Sequence, residues 1–93
     1  MLLKNAIIIN SNFEMSEEDV LLQKDKIVGI GTGLTDTEEL DLSGYILAPG
    51  YLDLHIHGYH GINLLEAGAE ELKRFSLMLA HEGVTSFVAT TAT

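Results

Sequence analysis

The chain has 93 residues, 46% of them apolar, with fourteen Asp and Glu against five Lys and Arg and a formal charge of −9. That much apolar surface supports one small globular core, and the negative balance excludes nucleic acid and anionic membrane surfaces as partners, because both repel it. Cysteine is absent, which excludes disulfides and thiolate metal sites and fits a reducing, cytoplasmic setting.

At the N-terminus, Lys4 interrupts the apolar run of MLLKNAIIIN and no small-residue cleavage site comes after it, so no signal peptide is expected. No apolar run reaches the roughly 20 residues of a membrane span. The β-branched AIII, from Ala6 to Ile9, predicts a strand, and DVLLQKDKIVGIG predicts a hairpin that turns near Lys24 and Asp25. GTGLTDTEEL, from Gly31 to Leu40, reads as a solvated loop. The glycines of GIGTG do not make a dinucleotide loop, because the third comes one residue early and leads into an acidic segment instead of a helix. DLSGYILAPG returns to extended structure and stops at the single proline, Pro49. The boundary expected there separates an N-terminal β portion, residues 1–48, from a second portion, residues 49–93.

The second portion has a βαβ texture. A strand is expected from about Tyr51 to His57, then a glycine-containing loop, a helix from about Ala69 to Glu82, and a strand from Ser86 to Thr90. Gly68, Leu72, Phe75 and Leu79 recur at helical spacing and mark the face to bury, Glu70 and Arg74 stand one turn apart for an ion pair, and Gly83 supplies the C-terminal stop. Strands joined by a crossover helix are parallel and require further strands beside them. The chain therefore reads as a fragment of a larger barrel or doubly wound protein, and its open sheet edges predict self-association into a homo-oligomer.

The chemistry concentrates in APGYLDLHIHGYHG, from Ala48 to Gly61. On a strand, Asp53, His55 and His57 share one face and Leu52, Leu54 and Ile56 the other. With the apolar face against covering helices, the polar face points into whatever the sheet encloses, where two imidazoles two residues apart reach one cation. Hydrogen-bonded core histidines are the alternative from spacing alone. His60 reads as a loop residue, and His81 as a helix-terminal residue favoured by the dipole. The threonines from Thr85 to Thr93 lack a neighbouring base and give no support to a serine-type mechanism.

APGYLDLHIHG, together with GVTSFVATTAT from Gly83 to Thr93, resembles the amidohydrolase superfamily, and within it the N-acetylglucosamine-6-phosphate deacetylase family. The loop GYHGINLLEAG departs from the family pattern, in which a run of glycines and an aspartate are common. The resemblance implies an α/β fold: part of a small β-sandwich, followed by the first βαβ unit of an incomplete (β/α)8 hydrolase barrel. It implies that His55 and His57 are ligands of a divalent metal, zinc or iron, while Asp53 supports the strand. The remaining ligands and the catalytic aspartate would lie on later strands, so no catalytic residue is expected within this chain. The implied reaction is metal-dependent release of acetate from a sugar-phosphate substrate, N-acetylglucosamine 6-phosphate, in amino-sugar catabolism. Another amidohydrolase, of dihydroorotase or hydantoinase type, is one alternative, and a noncatalytic, self-associating β-rich module is the other. The isolated chain is expected to be inactive and to bind metal weakly, because two imidazoles are half of a tetrahedral site.

Overall fold

The computed structural model describes residues 1–92, which are mostly β-strands with one helix. They divide into two compact units, Met1–Pro49 and a second from Gly50 onward.

The first unit is a five-stranded sheet. Strand β1 (Leu2–Ile9) begins earlier than the AIII run, because Leu2 is buried and extends the apolar strand past Lys4. Strands β2 (Met15–Gln23) and β3 (Lys26–Gly31) form the expected antiparallel hairpin, with Lys24 at φ 56° in its turn. On the other side of β1, two short strands, β4 (Glu39–Asp41) and β5 (Ile46–Leu47), pair parallel to it one after the other. The segment read as a loop up to Leu40 thus ends in a strand, because the open edge of β1 accepts any extended backbone that reaches it. Leu2, Ala6, Ile8 and Val20 form the buried part of this sheet.

A bulge in β1 knits this sheet together. Asn5 adopts φ 62° where the β1–β2 register shifts, leaving its N–H off the ladder. That N–H donates to Asp19 Oδ1 at 2.9 Å, and the Asn5 carboxamide donates to Asp41 Oδ1 at 3.1 Å. Asp41 also accepts from the Ser43 hydroxyl at 2.6 Å and the Ser43 N–H at 3.0 Å. These Ser43 bonds, then Asn5 and the charge of Lys4, hold the Asp41 carboxyl below its ordinary value. The Met1 ammonium does the same to Asp36, 2.7 Å away.

The second unit joins β6 (Tyr51–Ile56) to β9 (Val84–Ala89) through helix α1 (Ala69–His81), and the two strands are parallel. Helix α1 carries Glu70 and Glu71 in its first turn and His81 in its last, each complementing the dipole. It stops at Gly83, φ 85°, whose N–H bonds the Ala80 carbonyl at 3.0 Å. Phe75 and Leu79 are buried, with Phe75 edge-on to Phe87 of β9 at 5.1 Å between centroids. The buried helical face is narrower than the spacing implies: Leu72 is exposed and Gly68 is the N-cap. Among the described residues no ion pair joins Glu70 to Arg74. Two further strands, β7 (Gly58–Tyr59) and β8 (Ile62–Asn63), make a small hairpin in the segment expected to be a loop.

Because Phe75 fills the centre of the second core, Phe75→Ala is expected to destabilise that unit by about 3–5 kcal/mol. Leu77→Ala, at a site 59% exposed, is expected to stay within about 0.5 kcal/mol; chemical denaturation checks both. A carboxyl with a lowered folded-state value stabilises the fold above its unfolded value and loses that contribution as pH falls through the folded one. The first unit is therefore expected to weaken as pH drops below 3.8, the ordinary value for Asp36 and Asp41. Asp41→Asn should flatten that dependence in denaturant midpoints measured from about pH 5 to about pH 2.5.

Candidate metal centre

His55 lies on β6 and His57 one residue past its end, so the strand stops a residue sooner than expected. Upstream of that end the β6–β9 ladder is broken. Asp53 pairs with Phe87 and Ile56 with Ala89, so β6 takes three steps where β9 takes two and carries one extra residue. The His55 N–H displaced there donates to Asp53 Oδ1 at 3.0 Å. Beyond the bulge the ladder resumes, with the Thr90 N–H bonded to the Ile56 carbonyl at 2.9 Å. The His57 carbonyl accepts from the Leu64 N–H, also at 2.9 Å.

These fixings bring the two imidazoles together. Nε2 of His55 lies 3.0 Å from Nε2 of His57, and the rings meet at 60° with centroids 4.9 Å apart. At that separation one nitrogen donates to the other, or both lone pairs face a shared cation. Nitrogens each about 2.1 Å from one ion, and 3.0 Å apart, subtend about 90° at it, an angle that five- and six-coordinate sites use and four-coordinate sites reach with some closure. The donor pair fits a divalent metal as a half-site. No group of three or more His, Cys, Asp and Glu side chains converges among the described residues.

The polar face expected to be enclosed is open. His55 and His57 are exposed, Asp53 is half-buried, and Leu52 and Leu54 are exposed instead of covered. Among the described residues β9 is the one strand paired with β6, and α1 packs its apolar face on Ile56 and Phe87, leaving the other side chains of β6 without a covering layer. The Asp53 carboxylate accepts from the backbone N–H of His55, and it does not join the two imidazoles in a group of three among the described residues.

A surface depression of about 520 Å³ opens beside His57, bordered by Gly58, Gly61, Asn63, Thr90 and Thr91. The β7–β8 hairpin forms its rim. His60 at φ 48° and Gly61 at φ 79° occupy its two-residue turn, the geometry of a type I′ hairpin. Gly58 is required there, since a Cβ would collide with the Ile62 carbonyl oxygen. Tyr59 packs on the cluster of Ile62, Leu64, Phe75 and Leu79, and its hydroxyl donates to Glu82 Oε1 at 3.2 Å. Burial, and then the Glu82 carboxylate, push the Tyr59 phenol above its ordinary value. His60 stacks edge-on against Tyr59 at 4.1 Å, and His81 ends α1, away from the pair in sequence and on a different element. The hairpin escaped sequence reasoning, although His60-Gly61 between Tyr59 and Ile62 was its signal: a residue tolerating positive φ with a glycine after it.

No family model matches the chain. Among curated proteins it is similar to the N-acetylglucosamine-6-phosphate deacetylase of Lysinibacillus sphaericus, 32% identical over 95 residues, covering 100% of this chain and 24% of that protein. It is 46% identical over 48 residues to the N-acetylglucosamine-6-phosphate deacetylase of Bacillus subtilis, covering 52% of this chain and 12% of that protein. It is also 40% identical over 57 residues to the dihydroorotase of Listeria welshimeri, covering 59% and 13%. The chain spans about a quarter or less of the length of the relatives it matches. Deacetylase and dihydroorotase are names of hydrolases, and the likeness points to the amidohydrolase class. No described helix is long and apolar enough to cross a membrane.

Proposed function

We propose that this chain, which resembles N-acetylglucosamine-6-phosphate deacetylases along its whole length, supplies the first metal-ligand pair of a cytoplasmic amidohydrolase that releases acetate from N-acetylglucosamine 6-phosphate. In this reading β6, α1 and β9 are the first βαβ unit of a (β/α)8 barrel, and the sheet of β1 to β5 is part of a small β-sandwich. The observation that carries the proposal is the convergence of His55 and His57 Nε2 atoms at the C-terminal end of a strand in a parallel pair. Barrel enzymes place their chemistry at that end.

His55 and His57 would hold a divalent ion, zinc or iron, through their Nε2 lone pairs. Such an ion supplies Lewis acidity toward an amide carbonyl and makes water acidic enough to act as a nucleophile at neutral pH. The chain's own groups set up that binding. Asp53 fixes the His55 backbone, the Leu64 N–H fixes His57, and the depression beside His57 leaves room for a small ligand. The rest of the ligand set and the base that moves the proton to the leaving amine belong to segments outside these residues, and the 93-residue chain alone has no hydrolytic activity in this reading. The dihydroorotase likeness supports a second reading, in which the same ligand pair serves a cyclic amide.

The test is turnover by the full-length protein. Acetate release from N-acetylglucosamine 6-phosphate is expected to exceed dihydroorotate turnover, and His57→Ala is expected to lower kcat/KM by at least about 100-fold. Preference for dihydroorotate would favour the second reading. Activity indifferent to His57→Ala would remove the metal centre from either.

A further inference from the structure

Resting on the metal-centre reading, we propose that Tyr59 and Glu82 form a latch that positions His57 for metal binding. His57 lies outside β6, so the strand ladder does not hold it. It leads directly into a hairpin of two paired residues a side, too small to keep its own place in water. One backbone bond, from the Leu64 N–H to the His57 carbonyl, ties it to the far side of that hairpin; the hairpin is moored by Ile62, which is buried, and by Tyr59, two residues beyond His57. The Tyr59 ring lies on the core cluster of α1 and its hydroxyl reaches Glu82, the C-cap of that helix.

Glu82 is itself held in place. Its N–H bonds the Leu79 carbonyl at 3.0 Å, and the adjoining Gly83 carbonyl accepts from the Tyr51 N–H at 2.8 Å, at the start of β6. The Tyr59–Glu82 bond thus closes a loop of contacts: β6 leads to His57, His57 to the hairpin, the hairpin to the end of α1, and α1 back to the start of β6. Releasing the hydroxyl leaves the ring's packing and the Leu64 N–H bond to the His57 carbonyl intact, but loosens the hairpin about Ile62 and lets His57 turn about that one backbone bond. The ligand pair depends on its 3.0 Å spacing, so a small pivot spoils chelation before it unfolds anything.

The test uses zinc titrations of the metal-stripped full-length protein, with thermal unfolding and steady-state kinetics in parallel. Tyr59→Phe and Glu82→Leu are each expected to weaken zinc binding about two- to tenfold, with the double variant no worse than either single. Glu82→Gln, which keeps an acceptor oxygen, is expected to bind like the unaltered protein. Saturating zinc should restore kcat/KM in all of them, because positioning acts through metal occupancy. Unchanged zinc affinity in Tyr59→Phe, or lower thermal stability without an affinity change, would overturn the latch while leaving the metal centre standing. Zinc binding unaffected by His57→Ala would overturn the metal centre and the latch together.

Discussion

Two imidazole nitrogens held 3.0 Å apart where a parallel strand ends are the constraint on which the chemistry turns. Imidazoles on consecutive same-side positions of a regular strand meet only if the backbone aims them at each other. Here a bulge does so. The extra residue of β6 between Asp53 and Ile56 frees the His55 N–H, and Asp53 takes it up. The strand then rejoins β9 through Thr90, and His57 is fixed from the other side by Leu64. Bulges of this kind recur next to active sites, where they re-aim a side chain.

The same constraint orders the remainder of the second unit. Parallel pairing of β6 with β9 requires a crossover, and α1 supplies it while burying Phe75 and Leu79 over Phe87 and Ile56. That packing covers part of one face and leaves Leu52, Leu54 and Val88 exposed, the condition of a sheet with more apolar surface than α1 covers. The first unit has its own polar network. Its cohesion comes from the β1 bulge at Asn5 and the carboxylates that satisfy it, Asp19 and Asp41, so acid acts on it through groups unrelated to the imidazole pair.

Much of this was legible in the sequence because the signals were local. The β2–β3 hairpin, the extent of α1, its stop at Gly83 and the parallel β6–β9 pair come from turn residues, helical spacing and capping. The illegible parts depend on long-range pairing. Extended structure was legible from Asp41 to Pro49, but not that β4 and β5 would pair with β1, which offers them an edge. The bulge in β6 between Asp53 and Ile56 interrupts the ladder with β9, and no residue type announces it. An enclosed polar face presupposes a complete sheet, whereas the described residues pair β6 with β9 alone.

Anomalous X-ray scattering at the zinc edge, from crystals of the full-length protein, would locate the ion against the two rings without reliance on activity. The expected result is a peak about 2.1 Å from Nε2 of both His55 and His57. A peak elsewhere, with the two rings still joined by an N–H···N hydrogen bond, would contradict it.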